Sequence, residues 1–221
     1  SARYLALANE KLGDVLISTR DSATALDEYR KALSGFEVLS KKQPDKLELK
    51  LDVMNIRQKV SFAQFKLGQL DRSLEGYNAC LQAGQSLLSH NFRTVEVFRG
   101  IAKTNLRIGE ILALTNRKAE GLEKTRAALD LFRRLSAKNP DHAEALHDLW
   151  SAYTVLGEVL AENGKKAEAV VEMQEGLAIM EALGREDPHN MRSQRDISLA
   201  LGYLAETYLA AGQKERAHAL S

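Results

Sequence analysis

A single cysteine, Cys80, in 221 residues excludes an internal disulfide and leaves a reducing compartment compatible with the chain. Three prolines, and no stretch rich in Pro or in Ser and Gly, leave no linker at which to divide it. Aromatic residues make up 6% and β-branched ones are sparse, so there is little from which to build strands. Without a strand there is no place for a glycine-rich phosphate loop. No apolar run approaches the roughly 20 residues of a membrane-spanning helix. The opening residues SARYLALANE lack the charged start, apolar stretch and cleavage site of a signal peptide. Charge of one sign is also missing: 31 basic residues face 30 acidic ones. The basic excess of a general nucleic-acid or anionic-membrane surface is therefore absent. What remains is rich in Ala, Leu, Glu, Lys and Arg, with 44% apolar and 28% charged residues, the composition of a globular helical protein.

Glycine is placed where a helix should resist it. Gly157 lies inside the apolar spacing of Leu156, Val159 and Leu160, where glycine costs about 1 kcal/mol relative to alanine. Steps of 48 residues from it reach Gly13, Ser61, Gly109 and Ala205, all small. Twelve residues later a second small column reads Ala25, Ser73, Gly121, Ala169 and Ala217, and a third reads Ala32, Cys80, Ala128 and Gly176. Leu33, Leu81, Leu129 and Leu177 form a column of one residue type, as do Leu39, Leu87, Leu135 and Leu183. So many aligned columns without an insertion define an internal repeat, and such a period means stacked units.

Each repeat resolves into two helices, expected over 46–66 and 70–90 and again at every 48-residue offset. One junction carries Pro44, Phe92, Pro140 and Pro188, preceded by Gln43, Asn91, Asn139 and Asp187. That pattern reads as an N-cap followed by proline at the first helical position. The other junction carries Arg20, Gly68, Asn116, Gly164 and Gly212, mostly residues that turn left-handed after a helix end. The repeats run over about 1–43 (partial), 44–91, 92–139, 140–187 and 188–221 (partial), read as one domain. The chain starts inside a first helix and stops inside a second, so it is expected to be part of a longer array or a larger protein. The small columns, among them Gly13, Gly109, Gly157, Ala25 and Ala169, read as the place where the two helices of a repeat approach closely.

The pattern resembles the tetratricopeptide repeat (TPR). The fourth repeat carries the resemblance best: Tyr153, Leu156, Gly157, Leu160, Ala169 and Gly176 occupy the helix-packing positions, and Pro188 closes it. The usual period of 34 is lengthened by 14, about two turns in each helix, which keeps HEAT-like helix pairs as an alternative. The resemblance implies an all-α fold, a right-handed superhelix (solenoid) of antiparallel helix pairs, with about ten helices. DPHNMRSQRDISLALGYLAE, residues 187–206, is further similar to long-helix TPR arrays in bacterial signalling proteins, often attached to a serine/threonine kinase domain. That similarity implies a cytoplasmic sensing or docking module, or a regulatory arm of a larger enzyme.

No catalytic constellation, cofactor or metal is expected. His142 and His147 lie five apart and do not share a helix face as a zinc pair at i and i+4 does; the histidines read as solvated helix surface. Cys80, in a small column, reads as a buried structural thiol. The expected partner is a protein or peptide segment held in the concave groove lined by first helices, with neither nucleic acid binding nor membrane insertion. By analogy with TPR arrays, the groove includes the position after the small residue: Asp14, Phe62, Glu110, Glu158 and Glu206. Eleven residues earlier stand Arg3, Leu51, Arg99, His147 and Arg195, with Lys103 one turn beyond Arg99. The acidic and basic stripes would lie roughly 16 Å apart along each helix, complementary to a segment charged at both ends; the alternative is solvated charge that keeps the array soluble. Phe62, with Phe65 one turn on, is either a peptide anchor or, the preferred reading, repacks around Gly84. Trp150 reads as packing between neighbouring repeats. Self-association by stacking of repeats is the competing function.

Overall fold

The computed structural model describes residues 2–138, 140, 142–186, 189 and 191–220. Among these the chain forms ten α-helices: α1 (Ala2–Ser18), α2 (Ser22–Lys42), α3 (Leu47–Lys66), α4 (Leu70–Ser89), α5 (Val95–Leu114), α6 (Lys118–Lys138), α7 (Ala143–Glu162), α8 (Lys166–Glu186), α9 (Met191–Ala210) and the short α10 (Lys214–His218). No strand occurs among the described residues, and no described helix is long and apolar enough to cross a membrane. The chain divides into two compact units, Ser1–Thr104 and Asn105–Ser221, the division falling within α5.

Why helices stop where they do is plainest at the shorter junction. Arg20, Gly68, Asn116, Gly164 and Gly212 all adopt the left-handed conformation, with φ between 63° and 76°. The chain reverses there, and the freed amides return to the helix just ended. The Gly68 N–H donates to the Phe65 carbonyl and the Gln69 N–H to the Gln64 carbonyl, both at 2.9 Å. The latter bond recurs 48 residues apart, on the carbonyls of Leu16, Leu112, Leu160 and Tyr208. This is the Schellman closure.

At the longer junction the expected N-caps are corrected. Gln43 instead caps the C-terminus of α2, and Asn91 is left-handed (φ 67°) after α4. Asn139, Asp187 and Pro188 lie outside the described residues. Pro44 stands three residues before α3, inside a turn in which the Lys46 N–H donates to the Gln43 carbonyl at 3.2 Å. Proline fits the second position of such a turn because its ring presets φ. The residues at the true helix starts are Lys46, Thr94 and His142. Thr94 Oγ1 accepts from the Val97 amide at 3.4 Å, and His142 Nδ1 from the Ala145 amide at 3.3 Å. His142 is thus a cap rather than mere helix surface.

In the first unit, Tyr29 and Phe36 of α2 pack against Ile56, Val60 and Ala63 of α3, with Ala6, Ala25 and Ala32 between them. In the second, α7 is buried on most sides; Trp150 sits with Met180 and Ala200, and Met173 with Leu204 and Tyr208. Trp150 therefore joins α7, α8 and α9, as neighbouring-repeat packing requires.

The interior glycines face what the second helix sends across. A Cβ on Gly13 would run into the Tyr29 ring, and one on Gly157 would stand 2.7 Å from Met173. Tyr29 and Met173 both lie sixteen residues on, so this position, rather than the facing small residue alone, fills the gap. Gly109 differs, because its counterpart is Thr125. There the helices meet backbone to backbone: a Cβ on Gly121 would lie 2.6 Å from the Gly109 carbonyl and 2.9 Å from the Ala113 nitrogen. Backbone cannot yield, whereas a methionine chain bends. Gly121→Ala is expected to destabilise the protein by about 2 kcal/mol or more. Gly157→Ala should stay within about 1 kcal/mol of wild type, helix propensity offsetting the shift of Met173. Chemical denaturation of both variants checks the order, and equal costs would contradict it.

Candidate functional site

The acidic column is divided by its surroundings. In the first unit, Asp14 accepts from the Tyr29 hydroxyl at 3.0 Å and from Lys59 Nζ at 2.6 Å, and the same ammonium reaches Glu10 at 2.8 Å. Asp14 is committed to holding α1 against α2 and α3. Phe62 and Phe65 are half-buried and stack at 6.4 Å, and the Lys66 ammonium lies over Phe62 at 5.3 Å. They do not repack around Gly84, whose space is taken by Ile101 and Met54.

In the second unit, Glu110, Glu158 and Glu206 come from the same register position of α5, α7 and α9 and line one recess of about 260 Å³. Its apolar lining includes Ala113 and Val159, both buried, with the half-buried Ala161 and the exposed Ala210, and Glu162 adds a fourth carboxylate. Arg107 Nη1 donates to Glu110 at 2.7 Å, and Lys118 Nζ donates to the Glu162 carbonyl at 2.6 Å. Glu158 is likewise engaged by its surroundings. The Tyr203 phenol, on α9, registers this field. Burial chiefly raises its pKa, and Glu158, Glu206 and Glu110 push it further while Arg107 opposes them. Sequence reasoning missed Glu162 and Tyr203, although Glu162 lies one helical turn from Glu158 and Tyr203 about one turn before Glu206.

The basic column is drawn into local pairs. Arg3 of α1 pairs with Glu48 and Asp52 of α3, at 3.0 Å from Asp52. Arg195 Nη2 donates to Asp196 Oδ1 at 3.1 Å, while His147 Nε2 stands 3.4 Å from Asp196 Oδ2 and meets the Trp150 ring edge-on at 5.0 Å. Asp196 is 4% exposed, so two members of the column converge on one buried carboxylate. Arg99 and Lys103 on α5 are half-buried, and each is engaged by its surroundings. The two stripes therefore differ: the basic one is drawn into local pairs, and three members of the acidic one line a single recess of the second unit.

Among the described residues no cluster of His, Cys, Asp and Glu is arranged to hold a metal ion.

With this geometry in view, the class of fold follows: antiparallel helix pairs in a repeat arrangement of TPR type. Solved structures agree. BtubC of P. vanneervenii superposes with a TM-score of 0.68 at 19% identity, covering 99% of this chain and 78% of that one. The TPR-like repeats of a putative kinesin light chain from Podosopora anserina give 0.62 at 15% identity, covering 99% and 92%. A Rap protein complexed with competence and sporulation factor gives 0.70 at 18% identity, covering 96% of this chain and 50% of that one. No family model matches the sequence, and no curated protein does.

Cys80 is fully buried in the first unit, its Sγ 3.7 Å from the Met54 carbonyl. Burial pushes its thiol up to about 12, against a small opposing effect of Arg57. A neutral, enclosed thiol is a poor nucleophile. Native protein should show no reaction with a thiol-labelling reagent on the timescale in which denaturant-unfolded protein reacts completely. Rapid native labelling would show that Cys80 is accessible.

Proposed function

We propose that this chain is a non-catalytic scaffold that binds a protein or peptide segment on the face of its first helices, with the Glu110–Glu158–Glu206 recess as the docking point. The observation that carries this reading is the convergence of three register-equivalent carboxylates on one recess whose lining also includes Ala113, Val159 and Ala161. Repeat arrays use such faces because successive helices present the same position side by side. Two solved neighbours support it by what they hold: the Rap protein with competence and sporulation factor, and a Rap conjugation gene regulator with its Phr* peptide. A random-peptide selection on residues 1–221 should yield binders, and joint reversal of Glu110, Glu158 and Glu206 to lysine should weaken them roughly tenfold or more. Selected peptides that bind the triple variant unchanged would remove the recess from the reading.

A second reading, self-association, has its own observation. Leu5, Ala8, Leu12 and Val15 form an exposed stripe along α1, Leu5 being 65% and Val15 58% exposed. The residues at the same register in α3 include Ile56, Val60 and Ala63, all buried against α2. A face covered in one repeat and open in another invites a second copy. Light scattering across a concentration series should show mass growing with concentration, and Leu12→Glu should abolish the growth. A constant monomer mass at all concentrations would dismiss this reading.

A further inference from the structure

We infer that the exposed face of α1 pairs with the same face of a second copy, antiparallel and about a two-fold axis, so that the protein forms a closed dimer rather than a growing stack. The inference rests on the self-association reading above and names the surface of the second copy that is engaged. On a helix of about 3.6 residues per turn, Tyr4, Leu5, Ala8, Leu12 and Val15 fall within an arc of about 100°. All five are exposed. The opposite side of α1, with Ala6 and Gly13, is buried. Elsewhere the fold covers this face: the register of Leu12 is buried in every other first helix, at Val60, Ile108, Leu156 and Leu204.

The face also matches itself. Leu5, Ala8, Leu12 and Val15 step by three, four and three residues, the spacing of a coiled-coil seam. Run antiparallel, one register alone gives all four a partner: Leu5 meets Val15 of the second copy, and Ala8 meets Leu12. Each pair is made twice, because a two-fold contact is reciprocal. The inner layers then set leucine over alanine, large against small, which lets the helices close without a void. No acid lies on the face, and its one ammonium, Lys11 at the edge, is drawn back toward its own Asp14 at 3.7 Å. The two-fold passes level with residue 10, so Lys11 and its counterpart are offset by only about 3 Å along the helices. That like-charge neighbour weakens the pair without forbidding it. Area sets the same limit: the five residues offer roughly 500 Å² per copy, and about 1,000 Å² for the pair is the low end for a specific contact. The dimer is accordingly a weak one, with a dissociation constant on the order of micromolar or higher.

Sedimentation equilibrium on residues 1–221 should fit monomer and dimer alone. Ala8→Leu sets leucine against leucine and should weaken the dimer roughly tenfold. Adding Leu12→Ala to it exchanges the two sizes and should restore most of the affinity, a rescue specific to Ala8 meeting Leu12. Both positions are exposed, so the fold is not at stake. A short bis-maleimide reads the direction of the helices. Lys11→Cys should link two copies, whereas Ser18→Cys, which the same two-fold places about 24 Å from its counterpart along the helices, should not. Cys80 is buried and stays out of the reaction. Species larger than a dimer, no rescue by the exchanged pair, or linkage through both cysteines or through neither would overturn the antiparallel pairing while self-association stands. A monomer at every concentration would overturn both.

Discussion

The structure depends on a vacancy kept open inside each helix pair. At one position of each first helix the side chain is withheld or small, and the second helix fills the space. Tyr29 lies against Gly13 and Met173 against Gly157, whereas the threonine-sized neighbour of Gly109 lets the Gly109 carbonyl approach Gly121 directly. Ser61 solves the problem differently, accepting from Ser73 Oγ at 2.7 Å through its carbonyl. The helical cost of glycine, about 1 kcal/mol, is outweighed by the burial each arrangement permits. With that spacing fixed, the residue just after the small one lies about 100° further round the first helix, beside the contact rather than in it. The acidic column therefore runs along the flank of each helix pair, where Asp14 still reaches the Tyr29 hydroxyl.

That geometry turns a repeat in sequence into a site in space. A single glutamate on a helix surface is ordinary, but the same glutamate in three successive first helices becomes a cluster, because equivalent positions lie abreast. The two units show how easily the site is lost. The first keeps the acid at Asp14 but supplies Lys59 to neutralise it, and then replaces the acid with Phe62. The second preserves glutamate at all three positions, beside Ala113, Ala161 and Ala210 in the same lining.

The period of 48 made most of the fold readable. Expected helices of 46–66 and 70–90 fall within a residue of Leu47–Lys66 and Leu70–Ser89, since a left-handed residue and a column of small ones both mark the register. The longer junction was misread at Gln43 and Asn91 because a polar residue between two helices can close the first as readily as start the second, and only the backbone geometry and hydrogen bonds tell these apart. The Glu110–Glu158–Glu206 column was legible for the same reason as the helices. The fate of the basic column was not. Periodicity says which residues are equivalent, not what lies across from them, and Asp196 takes His147 and Arg195 through contacts that the repeat does not encode. Lys59, forty-five residues from Asp14, was hidden in the same way.

The burial of Trp150 has a spectroscopic consequence. It is the only tryptophan in the chain and is enclosed by Met180 and Ala200, with the His147 ring at its edge. Its fluorescence is therefore a private signal of the second unit, blind to the first, whose ring chromophores are tyrosine and phenylalanine. The protein thus carries a built-in optical label beside the buried carboxylate that organises one end of α7 and α9.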